Sequence, residues 1–403
     1  MIHIALLGFG VVGSGTAEVL TQNKAIIEKK IGQEINIKYI LDLREFPGSP
    51  FADCIVHDFQ TVVNDPEVSV VAEMMGGSHP AYDFTLACLK AGKSVVTSNK
   101  EVVASFGTEL LAVAREHGVS YLFEASVGGG IPIIRPLRED LASNNVTAIS
   151  GILNGTTNYI LTKMDMEGAS FEEVLKDAQA KGYAEANPAA DVEGLDAARK
   201  IVILAAMAFG KRVNPNTILC EGITKITSAD SELAREMGYA IKLIGYTAKV
   251  NGKILAMVSP RMVPRDNPIF GVSYVNNGIL VDADMVGRVM FYGPGAGKLP
   301  TASAVTGDLV DIMAHTPAGI ISPVWADATP DEIADPEDYA CRHLVVLDAP
   351  LSAESEINAH FALNAVHFTA GRFSFITEEM TEAEVKAKIA AVGYPLITRI
   401  RVL

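Results

Sequence analysis

The residues with the clearest chemical potential are an acid and a base four positions apart on one predicted helix. Asp196 and Lys200 lie in the helical stretch 192–209, where residues i and i+4 share a face. Such a pair commonly forms a surface salt bridge, but the run 201–209 is almost wholly apolar, so we expect a substantially buried helix. A desolvated lysine can donate a proton to a carbonyl oxygen or remove one from a hydroxyl group. The pair therefore indicates either a salt bridge or a proton-transfer site.

A glycine-rich loop near the start of the chain predicts a dinucleotide site. Its G-x-G-x-x-G pattern follows a predicted strand at 2–7 and opens a helix, which is the context that the motif requires. There Gly8 would permit a tight turn, Gly10 would let a pyrophosphate approach the backbone, and Gly13 would allow close packing of helix on strand. The cofactor-binding residues predicted from this loop are Gly8, Phe9, Gly10, Val11, Val12 and Gly13.

The end of the second predicted strand bears on the type of dinucleotide. Asp42 follows the strand 35–41, where an acid usually binds the adenosine ribose hydroxyls and repels a 2′-phosphate. Arg44 lies two residues further and could accept that phosphate. Asp42 could also be a solvated acid in a turn. The sequence favours NAD, with NADP as the alternative.

Alternating strands and helices must position these residues. In the first 127 residues, short apolar runs alternate with helical stretches, which predicts a parallel sheet with helical crossovers and a Rossmann-type α/β fold. The predicted strands there are 2–7, 35–41, 68–74, 94–97 and 119–123, and the predicted helices are 14–30, 81–91 and 102–117. An α+β region follows, with predicted helices at 133–141, 156–165, 171–181, 192–209 and 301–314, and strands at 240–250, 253–260, 274–281 and 287–292.

Composition restricts the classes of partner. The chain has 403 residues and a formal net charge of −15, which argues against nucleic acid or an anionic membrane, because both need clusters of Lys and Arg. Six acids and no base fall within 327–338, which predicts an acidic linker. The four cysteines are widely spaced and the N-terminus lacks a basic leader, so we expect a reduced, cytoplasmic protein. The predicted domains are a dinucleotide-binding domain (1–127 plus 301–320), a substrate-binding and dimerisation domain (128–300), the linker (327–340) and a C-terminal domain (341–403).

Five further segments resemble the homoserine dehydrogenase family. They are TSNK at 97–100, EASVGGGIPII at 124–134, GILNGTTNY at 151–159, GYAEA at 182–186 with DVEGLDAARK at 191–200, and YGPGAG at 292–297. The resemblance implies an NAD- or NADP-dependent alcohol dehydrogenase that interconverts L-homoserine and L-aspartate 4-semialdehyde in threonine, methionine and isoleucine biosynthesis. It also implies a homodimer or homotetramer.

The resemblance further implies a role for individual residues. Lys200 would donate or accept the proton that accompanies hydride transfer, with Lys100 and Asp196 beside it. The implied substrate-binding residues are Glu185, Asp191 and Asp196, although Asp191 equally fits an acid at a helix N-terminus. The implied cofactor contacts are Thr97, Lys100, Gly182 and Gly297. A monovalent cation, Na⁺ or K⁺, would be bound largely by main-chain carbonyls at Glu124, Val127, Gly129 and Ile131, a segment that also fits a glycine hinge between domains.

The tail has the order and length of a ferredoxin-like ACT-type domain, an amino-acid-sensing module. Leu351 stands where the turn that contacts the effector normally has glycine, so binding of threonine is left open. Two other functions remain as alternatives. One is a dehydrogenase of another small carbonyl compound, and the other is a non-catalytic sensor of dinucleotide and amino acid.

Overall fold

A parallel sheet forms the first part of the molecule. The computed structural model describes residues 1–315, 322–369 and 371–403. The strands of the first sheet are β1 (Ile2–Leu7), β2 (Ile35–Leu41), β3 (Ile55–Val56), β4 (Val68–Glu73), β5 (Ser94–Thr97) and β6 (Tyr121–Leu122). The helices in this part are α1 (Val11–Gln22), α2 (Lys24–Ile31), α3 (Phe59–Val63), α4 (Ala81–Lys90) and α5 (Lys100–Glu116). The strand order β3-β2-β1-β4-β5-β6, parallel throughout, is that of a doubly wound dinucleotide-binding fold and confirms the predicted class.

The helices of this part differ from the predicted ones: α3 has no predicted counterpart, and the predicted helices 14–30 and 102–117 have other bounds. The predicted helix 14–30 is two helices, because Asn23 leaves helical geometry and its carbonyl starts a new set of hydrogen bonds to Ile26 and Ile27. Helix α5 begins two residues before the predicted position, because the Asn99 side chain accepts hydrogen bonds from the amides of Glu101 and Val102 and so caps it. The cap places Lys100 in the first turn of α5.

The middle region is built on long antiparallel strands. Its strands are β7 (Val146–Ile152), β8 (Lys211–Arg212), β9 (Leu219–Cys220), β10 (Tyr239–Val250), β11 (Lys253–Pro264), β12 (Asn276–Ala283) and β13 (Gly287–Pro294). Its helices are α6 (Ile134–Arg138), α7 (Gly155–Glu167), α8 (Phe171–Ala180), α9 (Ala189–Val192), α10 (Leu195–Phe209) and α11 (Ser228–Glu236). Strand β7 and helix α11 have no counterpart among the predicted elements, since β7 mixes Thr, Ser and Gly with its apolar residues and shows no clear alternation.

The predicted helix 192–209 is interrupted before Asp196 and Lys200, the positions predicted to be catalytic. Helix α9 ends at Val192 and α10 begins at Leu195, with Gly194 between them at a φ of 84°. A Cβ on Gly194 would lie 3.1 Å from both the Cys220 Sγ and a Val258 methyl, so the turn is tightly enclosed. Helix α10 is buried along most of its length and places Asp196 and Lys200 on one side, as the sequence predicts.

A further helix returns to the first domain. Helix α12 (Lys298–His315) packs against α1, and its Val305 and Leu309 share an apolar core with Ile4 and Leu6 of β1. Residues 316–320 of the segment predicted for this domain lie outside the described residues.

The tail extends the sheet of the middle region. Its elements are β14 (Ala326–Asp327), β15 (Ala340–Cys341), β16 (His343–Leu347), α13 (Glu354–His360), β17 (Asn364–Thr369), β18 (Arg372–Ile376), β19 (Met380–Thr381), α14 (Glu382–Val392) and β20 (Leu396–Val402). Strands order as β20-β16-β18-β17 with the two helices between them in sequence, which is the ferredoxin-like βαββαβ arrangement. The parallel pairing of β20 with β11 joins both regions into one ten-stranded sheet.

The acidic segment 327–340 runs along the middle region. Asp327 accepts a hydrogen bond of 2.8 Å from Arg212, and Glu332 lies 2.8 Å from Lys211. No helix in the described part of the chain combines the length and apolarity needed to cross a bilayer.

Candidate active site

The glycine loop has the close packing that its sequence predicts. A Cβ on Gly13 would lie 2.0 Å from the Gly8 carbonyl oxygen, and Gly8 itself has a φ of 94°. A Cβ on Gly10 would meet nothing within 4 Å, so the backbone there is open to a ligand. Because α1 starts directly after Gly10, its first amides and the positive end of its dipole face the same opening.

Asp42 and Arg44 lie together at the mouth of a cavity of about 500 Å³ beside this loop. The amide of Phe9 donates to one Asp42 carboxylate oxygen at 2.8 Å, and the Arg44 guanidinium contacts both oxygens at 2.9 and 3.0 Å. These contacts, the Arg44 side chain first, hold the pKa of Asp42 well below its usual range. Both residues predicted to select the cofactor therefore line one cavity, already paired with each other.

A buried acid connects this cavity to the start of α5. Glu73, at the end of β4, is fully buried and accepts hydrogen bonds from the Thr97 hydroxyl at 2.5 Å and the Met75 amide at 2.7 Å. The Thr97 hydroxyl in turn accepts from the Asn99 amide at 2.9 Å, and the Asn99 side chain donates to the Gly77 carbonyl at 2.7 Å. Burial raises the pKa of Glu73 to about 7. Thr97 thus lies inside a network that shapes the loop after β4.

The predicted catalytic residues converge on one carboxylate. The Lys200 ammonium donates to an Asp196 oxygen at 2.7 Å and to the Leu153 carbonyl at 2.7 Å. Lys100, from the other domain, lies 2.6 Å from the second Asp196 oxygen. Asp196 and Lys200 are only 5% and 8% exposed, so their ion pair is buried and is not a surface salt bridge.

Charge and burial oppose each other in this cluster. Burial lowers the pKa of Lys200, with Lys100 adding to that effect, while Asp196 partly restores it. Burial would raise the pKa of Asp196, but the attraction of Lys200 and Lys100 outweighs it and leaves that pKa below its usual range. The cluster therefore holds an ionised carboxylate beside a lysine that releases its proton more readily than a solvated one.

Asn154 links the two acids that flank the turn before α10. Its amide donates to Asp191 at 2.7 Å and to Asp196 at 2.9 Å, while its side-chain oxygen caps α7 by accepting from the Thr157 amide. Burial raises the pKa of Asp191. Asn154 is not among the site residues predicted from the sequence, although its place directly before a helix, in an N-cap position, is a usable signal.

The cluster of Lys100, Asp196 and Lys200 lines a cavity of about 590 Å³, and other predicted substrate and cofactor residues line it too. Gly182 and Glu185 line it from the segment after α8, and Gly297 lines it from the segment before α12. Arg199, which is not among the site residues predicted from the sequence, also lines this cavity. Its guanidinium group lies 3.6 Å from the Glu101 carboxylate. Lys100 joins this cavity to the nucleotide-binding domain.

The predicted cation loop packs directly beneath the cavity. A Cβ on Gly129 would lie 2.5 Å from the carbonyl oxygen of Gly295, which lines the cavity. The Glu124 carboxylate accepts from the amides of residues 133–135 and so caps α6. The carbonyls of Val127, Gly129 and Ile131 accept no hydrogen bond from any described residue, which leaves them free for a cation.

The fold and the site together define a class of protein. A doubly wound sheet with an open glycine loop holds a dinucleotide, and a buried lysine–carboxylate cluster stands where the carboxyl ends of its strands meet the second domain. This combination is that of a dinucleotide-dependent oxidoreductase.

Comparison with known proteins gives the family. Residues 8–124 match the model of the homoserine dehydrogenase NAD binding domain, and residues 132–310 match the homoserine dehydrogenase model. A homoserine dehydrogenase of Synechocystis sp. is 44% identical over 319 residues, which cover 77% of this chain and 73% of that protein. The crystal structure of a homoserine dehydrogenase from Thiobacillus denitrificans, 36% identical, has a TM-score of 0.91 and covers 100% of this chain and 98% of that one.

A hyperthermophilic archaeal homoserine dehydrogenase in complex with NADPH is 29% identical with a TM-score of 0.66, over 77% of this chain and 97% of that one. The chain belongs to the homoserine dehydrogenase family, which confirms the resemblance seen in the sequence. It is an oxidoreductase acting on a CH–OH group, with a domain that binds NAD(P). The comparisons do not favour the non-catalytic sensor.

Proposed function

We propose that the protein interconverts L-homoserine and L-aspartate 4-semialdehyde with NAD(P). The observation that carries this is the buried cluster of Lys200, Asp196 and Lys100, which brings both domains to one proton-transfer site. The same reaction would give the protein its place in threonine, methionine and isoleucine biosynthesis. Four unpaired cysteines agree with a reducing compartment, the cytoplasm.

Residues of the first domain would hold the dinucleotide. The open backbone at Gly10 suits the pyrophosphate, and the cavity at Asp42 suits the adenosine ribose. Arg44 neutralises the charge of Asp42, which would otherwise repel a 2′-phosphate, and its guanidinium group can bind that phosphate. We therefore propose that NAD and NADP both bind. The archaeal relative in complex with NADPH supports the second of these. When bound, the nicotinamide ring accepts or supplies the hydride.

Lys200 is proposed to move the proton. In the reducing direction its ammonium group stabilises the negative charge that forms on the aldehyde oxygen and then donates a proton to that oxygen. In the oxidising direction the neutral amine removes the hydroxyl proton, and burial favours that form by lowering the pKa of Lys200. Asp196 fixes the position of Lys200 and of Lys100 by accepting from both.

The acids around the cavity divide the remaining work. Both oxygens of Asp196 are engaged by lysines and by Asn154, so its proposed substrate contact is shared with its orienting role. The Glu185 carboxylate accepts no hydrogen bond from the described residues and faces the cavity, which suits the substrate ammonium group. Asp191 has one oxygen on Asn154 and lies beside Asp196, which supports a second contact to that group.

A monovalent cation, Na⁺ or K⁺, is proposed for the loop beneath the cavity. Free carbonyls of buried residues at Val127, Gly129 and Ile131 are suitable ligands for a hard cation. The carbonyl of Glu124 completes the set, while its side chain is occupied at α6. The bound ion would fix the loop against Gly295 at the floor of the cavity.

For the tail, we propose an ACT-type role on the basis of its βαββαβ order. Subunit association as a dimer or tetramer and threonine as an effector are part of the same proposal. We also propose the domains predicted from the sequence, with a tail that shares its sheet with the middle region through the pairing of β20 and β11.

Initial rates test the proposal. Purified protein is mixed with L-homoserine and NAD or NADP, with and without KCl, NaCl or threonine, while absorbance at the reduced nicotinamide band is followed. We expect homoserine-dependent reduction of both dinucleotides and a faster rate with the cation. A folded protein that reduces neither dinucleotide with homoserine would contradict the assignment, and reduction driven only by another small alcohol would change the substrate.

A further inference from the structure

The last strand of the chain reaches the catalytic part through one ion pair. Arg401 of β20 is 4% exposed and contacts the Glu382 carboxylate within the tail at 3.0 and 3.1 Å. The same guanidinium also pairs with Glu221, which belongs to the middle region. We call the Arg401–Glu221 pair the clasp.

Strand β11 explains why the two residues meet. Strand β9 pairs with β11 at Met257 and Val258, and β20 pairs with β11 at Arg261 and Met262. Both therefore lie along the same edge of β11, and Glu221 follows β9 directly toward β20. The amide of Glu221 donates to the Val258 carbonyl at 2.8 Å, which fixes its backbone at this position.

The segment 220–223, which contains Glu221, packs against the turn between α9 and α10 and is hydrogen-bonded to it. The Ile223 amide donates to the Val192 carbonyl at 2.8 Å, and the Cys220 thiol donates to the Glu193 carbonyl at 3.2 Å. A Cβ on Gly222 would lie 2.2 Å from the Val192 carbonyl oxygen, so the two backbones are in close contact. The turn 192–194 is therefore held against the segment 220–223 by two hydrogen bonds and one close backbone contact.

That turn sets the spacing of the proposed substrate acids. Asp191 lies on α9 and Asp196 lies on α10, and the turn is the only chain connection between the two helices. Asn154 bridges their carboxylates, so a small displacement of the turn changes both acids together. The path from the clasp to the substrate acids consists of two hydrogen bonds and one tight backbone contact.

We propose that Glu221 and Arg401 are positioning residues for substrate binding, through which the C-terminal strand holds the turn that spaces Asp191 and Asp196. This inference rests on the proposed function, because these acids bind the substrate there. The clasp acts first on the affinity for homoserine, through the spacing of Asp191 and Asp196. Because Asp196 also orients Lys200, loss of the clasp lowers kcat as well, but by a smaller factor than it raises KM. The tail is thereby a structural part of the substrate site in addition to any sensing role.

The test uses Glu221→Gln, Arg401→Met and the combined variant in the full chain. We expect the KM for homoserine to rise about five- to tenfold in each single variant, with a smaller fall in kcat of about two- to threefold. The combined variant should have the KM of Arg401→Met, because the clasp is already lost in that variant and the loss of Glu221 then adds nothing. Glu221→Gln removes the clasp while keeping the Arg401–Glu382 contacts. Arg401→Lys should restore part of the lost affinity, since it retains the charge but not the fork of the guanidinium.

Arg399→Met is the matched control. Arg399 pairs with Glu382 from the same strand, as Arg401 does, but its described contacts lie within the tail. We expect a wild-type KM for this variant and unchanged NAD(P)H affinity for all of them. A KM within twofold of wild type in both clasp variants, an equal rise in Arg399→Met, or a loss confined to kcat would overturn the inference. Failure of the proposed function is separate, because the wild-type protein would then show no homoserine-dependent activity.

Discussion

The nucleotide cavity and the candidate catalytic cavity are built in different ways. The nucleotide cavity lies at the carboxyl ends of parallel strands, where Gly8 and Gly10 follow β1 and Asp42 follows β2. The candidate catalytic cavity is lined by charged side chains from separate elements, among them Lys100, Asp196 and Lys200, whose charges compensate one another. The difference follows from the ligands. A pyrophosphate is recognised by amides that any loop of this shape supplies, whereas proton transfer needs particular side chains at particular distances.

The largest effect is expected at Lys200, where the catalytic cavity depends on one side chain. Lys200→Met should lower kcat by a factor of about 10³, within the range for loss of an acid–base group, because Lys100 is bound to the other Asp196 oxygen and does not occupy the place of the Lys200 ammonium group. Steady-state rates and NADH fluorescence titration measure the two properties. Dinucleotide affinity should stay within twofold. Lys176→Met, at an exposed lysine of α8, is the control, and near-normal turnover in Lys200→Met would refute the catalytic assignment.

The nucleotide cavity should respond to backbone space instead. Gly13→Ala places a Cβ 2.0 Å from the Gly8 oxygen, whereas Gly10→Ala places one in open space. Both should weaken dinucleotide binding about ten- to hundredfold, but only Gly13→Ala should also lower the free energy of unfolding, by about 1–3 kcal/mol. Titration with NADH and thermal unfolding of both variants separate the two effects. Equal free energies of unfolding for the two variants would show that the close packing at Gly13 does not contribute to stability.

A third, smaller effect is expected at Glu73, whose buried carboxylate accepts hydrogen bonds from Thr97 and Met75. Its folded pKa of about 7 exceeds that of an unfolded glutamate, so its contribution to stability is fully present below pH 4.5 and is lost as pH rises to about 7. Glu73→Gln cannot ionise, so its free energy of unfolding relative to wild type should increase by about 1–3 kcal/mol between pH 5 and pH 8. Denaturant unfolding at both pH values measures this.

The comparison with wild type isolates Glu73. Asp308, whose pKa is also raised to about 7, is present in both proteins and cancels. A stability difference that is independent of pH would mean that Glu73 is ionised throughout this range.

The smallest effect is expected at Arg44, on the exposed edge of the nucleotide cavity. Arg44→Ala removes the cation beside Asp42, so the KM for NADP should rise about three- to tenfold while that for NAD stays within twofold. Parallel initial-rate series with the two dinucleotides give the ratio. An equal change for both would indicate that Arg44 positions Asp42 without discriminating the phosphate.

Much of the nucleotide-binding domain could be predicted from residue patterns. Strands β1, β2 and β5 have their predicted bounds because their apolar runs end at clear turn residues. Strand β7 was missed, since its Thr, Ser and Gly residues break the alternation that marks a strand. The division of the helix before Asp196 was also missed, because a single glycine gives no sign of how tightly its surroundings enclose it.

For the site, the sequence alone determined the glycine loop and the placement of Asp196 and Lys200 on one helix face, because both are local patterns on one loop or one helix. By itself the spacing of Asp196 and Lys200 left a salt bridge and a proton-transfer site as alternatives, and the role of Lys200 came from the family resemblance. Only the tertiary structure decided that Lys100 shares the Asp196 carboxylate, that Thr97 donates to the buried Glu73, and that Arg401 reaches Glu221. These contacts join residues 24 to 180 positions apart, and distance along the chain carries no record of such proximity. Burial and pairing, which set the protonation of Lys200, exist only once the two domains and the tail have packed together.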